Sequence, residues 1–357
     1  MKKTILALGI LALAAAALYT QRGPLAERVI AHLAPAMMSA NTLATLEDGL
    51  HVAVCGAGGP MPDAVRSGPC LAISAGERLL VIDAGSNGVR NLVRMRYPVG
   101  AIEAVFLTHF HSDHIDGLGE LATLRWVQGS HQDPLPVYGP TGVEQVVDGF
   151  NRAYALDVRY RTAHHGEAVV PLRGAGMRAH SLGPGGGGKL RAINLGGDLK
   201  VTAFRVDHDP ASPALGYRVD YRGRSLVVSG DTIKSEAVAQ QAQNVDLLVH
   251  EALSPELVMI INSAAETTGN SGMAQIALDI LDYHASPVEA AEVARDAGAG
   301  HLLFYHIVPA LPPIPGAEAA WLQGVADIFS AHTLARDGTT VSLPANSDAI
   351  KVGRHRL

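Results

Sequence analysis

Short apolar runs alternate with polar turns along most of the chain, and several of the runs end in the same kind of residue. Ala104-Val105-Phe106-Leu107 has the length and composition of a buried strand, and it stops at Thr108-His109-Phe110-His111-Ser112-Asp113-His114. Leu199 to Val206 runs into Asp207-His208-Asp209, and a hairpin from Ala214 to Asp220 and Ser225 to Val228 runs into Ser229-Gly230-Asp231-Thr232. Val245 to Val249 leads to His250-Glu251, and Leu302-Leu303-Phe304-Tyr305 leads to His306. Apolar stems that each end in a His or an Asp gather polar side chains at one rim of a sheet whose core the stems fill.

Other segments complete an α/β pattern. Arg78 to Asp83 and Leu135 to Pro140 read as strands, and Gly88 to Tyr97, Gly117 to Val127 and Thr141 to Ala155 read as helices. From Gly174 to Gly197 glycine dominates, including Gly185 to Gly188, and the stretch reads as a mobile loop because so many glycines are costly to order. It contains neither a phosphate loop nor a dinucleotide fingerprint. Pro255 to Tyr283, with apolar Leu257-Val258-Met259-Ile260-Ile261, suits either a lid over an apolar substrate group or a helix pair packed on the sheet.

The N-terminus has a different pattern. Lys2 and Lys3 precede an apolar run from Ile5 to Leu18 with Ala15-Ala16-Ala17 near its end, the order of an export signal. The run falls short of the roughly 20 residues that span a bilayer. Residues 1–20 therefore read as a signal peptide, with an N-terminal membrane anchor as the alternative. Residues 21–45 read as a linker with a short helix, 46–345 as the main folded domain and 346–357 as a C-terminal tail. The matching location is periplasmic or secreted, or the inner membrane if the segment is not cleaved.

Composition narrows the picture further. With 357 residues and 48% hydrophobic content the chain fills a substantial core, and a net charge of −6 offers no basic field to a polyanion. A small-molecule partner is expected rather than nucleic acid, and a homodimer is left open. Cys55 ends Val52-Ala53-Val54 and Cys70 begins Leu71-Ala72-Ile73, with a Gly/Pro-rich turn between them. If these runs pair as antiparallel neighbours in an oxidising compartment, the two cysteines form a disulfide; otherwise they are buried free thiols.

The motif at His109 sets the chemistry. Three imidazoles and a carboxylate within six positions suit a borderline cation such as zinc. His51, His131, His164, His165, His180, His301 and His332 lack such company and read as core or surface residues.

With these motifs in place, the chain from about Leu46 to Pro344 resembles the metallo-β-lactamase superfamily. Val206-Asp207-His208, Gly216-Tyr217-Arg218, Ser229-Gly230-Asp231-Thr232, His250-Glu251-Ala252 and His306 resemble the branch shared by ribonuclease Z and arylsulfatases. Gly56 to Asp63, Pro136 to Pro140 and Val219 to Ser225 look closer to the arylsulfatases.

The resemblance implies an αββα sandwich of two mixed β-sheets flanked by helices, with two Zn2+ or other divalent ions at one edge. Carried over by position, His109, His111 and His208 hold one ion, Asp113, His114 and His306 the other, and Asp231 bridges them. Two ions sharing a water would supply hydroxide as nucleophile near neutral pH. Asp113 thereby also serves the chemistry. His250 is expected to protonate the leaving oxygen, with Glu251 fixing its tautomer, and His284 is a candidate substrate contact. Asp83 is expected to hold the loop under the metals.

The expected activity is arylsulfatase-like hydrolysis of small sulfate or phosphate esters. The alternatives are a lactonase or phosphotriesterase, or a ribonuclease Z-type tRNA 3′ endonuclease. The short form of that nuclease carries a tRNA-gripping arm between the equivalents of His208 and Asp231, where this chain has only a hairpin.

Overall fold

The computed structural model describes residues 2–183, 190–355 and 357, with side chains described from residue 19 onward. It divides into two compact units, Met1–Thr42 and Leu43–Leu357.

The first unit is one helix, Lys2–Ser39, which runs through Pro24 and Pro35. The expected linker at 21–45 is thus mostly helical. Leu25 to Leu33 is rich in Leu, Ala, Glu and Arg, strong helix formers that carry the helix past the polar Gln21-Arg22. Among the described residues no helix is long and apolar enough to cross a membrane.

The second unit contains fifteen strands among the described residues. They are β1 (Gly49–Gly56), β2 (Cys70–Ala75), β3 (Arg78–Ile82), β4 (Ile102–Phe106), β5 (Leu135–Gly139), β6 (Met177–Ser181), β7 (Arg191–Asn194) and β8 (Leu199–Val206). They continue as β9 (Ala214–Tyr221), β10 (Arg224–Val228), β11 (Leu247–Leu253), β12 (His301–Val308), β13 (His332–Leu334), β14 (Thr339–Pro344) and β15 (Lys351–Arg354). One mixed sheet has the order β15-β14-β1-β2-β3-β4-β5-β6 and the other β13-β12-β11-β10-β9-β8-β7.

The sheets face each other across a core that alternate residues of each strand fill. Val52, Val54, Ile73, Leu80 and Phe106 meet Val201, Tyr217, Val219, Leu226 and Val249 there. The intervening residues of the first sheet, such as Ala53, Cys55, Ala72 and Val105, lie under a second cluster with Leu92, Leu118, Leu121 and Val147 of the flanking helices. On the second sheet Val227, Leu248 and Phe304 are covered by Ala290, Val293 and Ala294 of the helix Pro287–Ala297. Burial on both faces makes these strands continuously apolar, at about 1.5–3 kcal/mol for each large side chain removed from water.

Several boundaries depart from expectation. The glycine-dominated stretch from Gly174 to Gly197 contains β6, paired in parallel with β5, and β7, paired antiparallel with β8. Both are edge strands with half-exposed side chains, so ladder hydrogen bonds define them where hydrophobic pattern does not. Gly185 to Gly188 lies outside the described residues. The helix expected to end at Ala155 continues as Val143–His165. The expected tail at 346–357 contains β15, an exposed strand on the outer edge of the first sheet. Pro255 to Tyr283 is a pair of helices, Pro255–Thr267 and Ser271–Asp279, whose residues Val258 and Ala277 pack with Leu253 and Val308.

Cys55 and Cys70 form a disulfide, closed where β1 and β2 pair antiparallel and a bulge interrupts their register.

Candidate metal centre

Five strands bring side chains to one rim of the sandwich. The chain leaves β4 into Thr108 to His114, β8 into His208, β10 into Asp231, β11 carries Glu251, and β12 carries His306. Gly230 (φ 64°) and His306 (φ 46°) adopt left-handed backbone at this rim, where the chain turns to aim a side chain inward.

Asp231 stands at the centre. Its Oδ2 lies 3.2 Å from His306 Nε2, 3.4 Å from His114 Nε2, and 3.8 Å from both His109 Nε2 and His208 Nε2. Asp113 Oδ2 lies 3.3 Å from His306 Nε2 and 3.6 Å from His114 Nε2. His111 Nδ1 lies 2.9 Å from His109 Nε2 and 3.3 Å from His208 Nε2. The donor atoms of the seven expected ligands fall into two groups, His109-His111-His208-Asp231 and Asp113-His114-His306, and a third group brings His284 to Asp231 and His306, each spanning no more than 4.8 Å.

The set fits metal ions. Ligand atoms of a tetrahedral ion with bonds of about 2.0–2.2 Å stand roughly 3.4 Å apart, close to the separations here. His114 Nε2 and Asp231 Oδ1 are buried without a hydrogen-bond partner among the described residues, a costly state for polar atoms unless a cation takes them up.

Surrounding hydrogen bonds hold the ring nitrogens in the required tautomers. Asp83 accepts from Thr108 N at 2.8 Å, Thr108 Oγ1 at 2.9 Å and His114 Nδ1 at 2.8 Å, which leaves His114 Nε2 with its lone pair inward. Thr108 Oγ1, having given its proton to Asp83, accepts from His109 Nδ1 at 3.1 Å. His208 Nδ1 donates to the carbonyl of Tyr283 at 2.8 Å. Asp83 thus holds the floor of the site.

Electrostatics divides the histidines. Burial pushes His109, His111 and His208 below the ordinary imidazole range, helped by repulsion from neighbouring imidazoles, chiefly His114 for His109, His208 for His111 and His284 for His208. Burial also opposes a proton on His114, but the carboxylates of Asp231 and Asp83 raise it well above that range. Burial would raise Asp231, yet His306 and His114 hold it well below the usual carboxylate range. Asp113 is lowered in the same way, against its burial, by the hydrogen bond from His306 and the charge of His114.

His250 and Glu251 are not where sequence order suggests. Strand β11 continues through both to Leu253, so neither lies beyond a strand tip. His250 is fully buried; its Nδ1 meets the backbone carbonyl of Glu251, and burial lowers its affinity for a proton. The Glu251 carboxylate orients His284 instead. Its Oε1 accepts from His284 Nδ1 at 3.1 Å and from the backbone N–H groups of Thr232 and Ala285, each at 3.2 Å. Burial opposes protonation of His284, and the charge and hydrogen bond of Glu251 overcome it and raise its pKa. The His284 ring lies 5.1 Å from that of His208 and 5.6 Å from that of His306, beside both ligand groups.

Two contributors carry no motif of their own. The Tyr283 ring packs edge-on at 4.8 Å to His208, and adjacency to His284 was its only signal. Gly59 backs His306, and a Cβ there would lie 2.9 Å from Val308 and 3.4 Å from the His306 ring. Of the remaining histidines, His51 and His131 bond to backbone carbonyls and His301 to Thr333, as structural residues do.

Two mixed sheets flanked by helices, with clustered His and Asp at one rim, define a metallo-β-lactamase-fold hydrolase. Residues 78–307 match the family model described as the beta-lactamase superfamily domain, and the chain belongs to that superfamily. A protein named Ribonuclease Z from Mycobacterium bovis (strain BCG / Pasteur 1173P2) is 33% identical over 283 residues, which cover 79% of this chain and 93% of that one. A Ribonuclease Z from Mycolicibacterium gilvum (strain PYR-GCK) is 32% identical over 275 residues, 76% of this chain and 88% of its own.

Among solved structures, the short form of human tRNase Z superposes with a TM-score of 0.59 at 22% identity, covering 82% of this chain and 99% of that one. A diphosphatase of the PhnP family superposes with a TM-score of 0.55 at 18% identity, covering 83% and 98%. These two likenesses are of fold.

Proposed function

We propose that this protein is a metal-dependent phosphodiesterase. The observation that carries the reading is the buried Glu251–His284 pair beside two groups of metal-binding donors. It sets an imidazole whose pKa the Glu251 carboxylate raises next to the place where an ester would be broken. The residues that would hold two divalent ions, with zinc the first choice for this donor set, are His109, His111 and His208, then Asp113, His114 and His306, with Asp231 between them. Bound there, the ions would polarise the ester and lower the pKa of water.

The chain's own residues account for the rest. His284 donates a proton to the departing oxygen, and Glu251 holds the ring and its charge in place. His250, enclosed in β11, supports the strand rather than the reaction. The closely packed ligand rings leave the Asp231 carboxylate little water, which strengthens every charge interaction at the rim.

The choice of phosphodiester over sulfate follows the relatives. The sequence motifs lean toward the arylsulfatases, but the similar proteins bear the names of a ribonuclease and, in fold only, a diphosphatase, and none of these bears that of a sulfatase. Lactone and phosphotriester hydrolysis have no such support. The hairpin between His208 and Asp231 counts less against RNA than the sequence suggests, because the mycobacterial ribonuclease Z aligns over 93% of its own length with a chain that lacks the arm.

The test is turnover by metal-reconstituted protein of an aryl phosphodiester, an aryl sulfate, a phosphotriester and a lactone. The reading expects the diester to lead by a wide margin, and a sulfate or lactone in first place would overturn it.

A further inference from the structure

A cavity of about 320 Å³ opens directly beside the ligands. His109 and His111 form one side, and Phe110, Pro210, Ala211, Ser212 and Pro213 complete its lining. That volume is at the low end of the ~300–1,000 Å³ of small-ligand sites, and suits one ring better than a duplex.

Beyond the two histidines the lining is an aromatic ring, two prolines, an alanine and a serine, with no carboxylate or ammonium group. Phe110 is half-buried and fixed from behind, with its ring edge against Gly142, where a Cβ would come within 3.1 Å of it. The opposing loop is tied down by Ala211 N donating to the His208 carbonyl at 2.8 Å and Ser212 N to the Pro210 carbonyl at 2.9 Å. Two proline rings add stiffness, so a ligand would pay little to order this wall. Ser212 Oγ accepts from the exposed Arg205 guanidinium at 3.1 Å, so this hydroxyl is already engaged. The lining includes His109 and His111 but not His284, which Glu251 holds beside His208 and His306. A substrate with its departing oxygen at His284 would therefore extend its other ester arm toward Phe110.

We propose that this cavity is the specificity site of the enzyme and holds a planar, uncharged ring, a nucleobase or an aryl group, on the non-leaving arm of the diester. The proposal rests on the phosphodiesterase reading for the reaction, but not for the binding. A ring stacked on Phe110 between the prolines gains the face contacts that aromatic side chains give to bases and aryl groups.

The test compares three diesters with the same nitrophenyl leaving group and a methyl, phenyl or nucleoside group on the other arm, using the metal-loaded full chain. Phenyl and nucleoside esters should exceed the methyl ester about 10- to 100-fold in kcat/KM, as stacking energies imply. The ranking of those two distinguishes an aryl from a nucleobase occupant. Ala211→Leu, which fills the cavity, should bring the ratio close to one, and the smaller Ala211→Val serves if the leucine variant does not fold.

Calorimetry with phenylphosphonate and methylphosphonate gives a readout independent of turnover. If no diester is cleaved but phenylphosphonate still binds more tightly, and loses that advantage in Ala211→Val, the reaction assignment fails and the cavity assignment stands. Equal handling of methyl and ring-bearing ligands by the unmodified protein, or a ratio untouched by the Ala211 variants, overturns the inference.

Discussion

Asp231 is the residue that joins the two donor groups, and its position explains its charge. A buried carboxylate costs several kcal/mol to desolvate, and here four imidazoles and the ions they would share offset that cost. Asp231→Ala is therefore expected to lose most bound metal, read by elemental analysis of protein loaded with zinc, while near-native metal content would remove Asp231 from the centre. The seven candidate ligands were legible because each follows an apolar run, and four of them, His109, His111, Asp113 and His114, share one motif local in sequence. The Glu251–His284 pair was not legible, since its partners are 33 residues apart and meet only when the helix pair after β11 returns the chain to the rim. Adjacency had instead suggested that Glu251 serves His250. Two variants separate the assignments. His284→Ala should lower turnover about 10²–10⁴-fold with metal retained, and the deficit should shrink for diesters with better leaving groups. His250→Ala should act mainly on thermal stability. If the leaving-group dependence follows His250 and not His284, the structural reading of the acid is wrong.

At the level of elements, the segment between β1 and β2 links fold and site. Cys55–Cys70 closes it at its base, and Asp337 anchors it by accepting from Ala57 N at 3.1 Å, Ser67 N at 2.9 Å and Asn91 Nδ2 at 2.7 Å. Arg66, buried within it, pairs with Asp63 at 3.3 Å and donates to the Ala335 carbonyl at 2.9 Å. So held, the segment presents Gly59 to His306. Replacing both cysteines with serine should cost about 3 kcal/mol of unfolding free energy, the chain-entropy value for a loop of about 15 residues, measurable by denaturant titration against the oxidised parent. An unchanged midpoint would mean that Asp337 and Arg66 suffice to hold the loop. Gly59→Val, which crowds His306, should lower metal content below two ions per chain, with the loss confined to the group containing His306. The central strands were readable because burial on both faces leaves unbroken apolar runs. β6, β7 and β15 were not, because edge strands with exposed side chains rely on neighbouring backbone rather than on pattern.

Over the whole molecule, charge is the property that bears most on the substrate. A net charge of −6 gives an RNA no general attraction, so any RNA the enzyme cleaves must be held by local contacts at the rim rather than by a broad basic face. A protein that neutralises many phosphates loses affinity steeply with salt, with a slope of about −0.7 per contact for single strands. If the substrate is a single ring-bearing diester, or the terminal nucleotide of an RNA held only at the metal centre and the Phe110 cavity, few phosphates are engaged. Cleavage should then change less than about tenfold between low and physiological salt. The measurement is kcat/KM for a precursor tRNA and for a nucleoside nitrophenyl phosphate, run in parallel over a salt series with the same metal-loaded protein. The expected outcome is turnover of the small diester with a shallow salt dependence, and tRNA cleavage that is slower or equally insensitive to salt. Efficient tRNA cleavage that falls by orders of magnitude as salt rises would establish an extended RNA-binding face, and the small-diester preference would then be discarded in favour of ribonuclease Z-type processing.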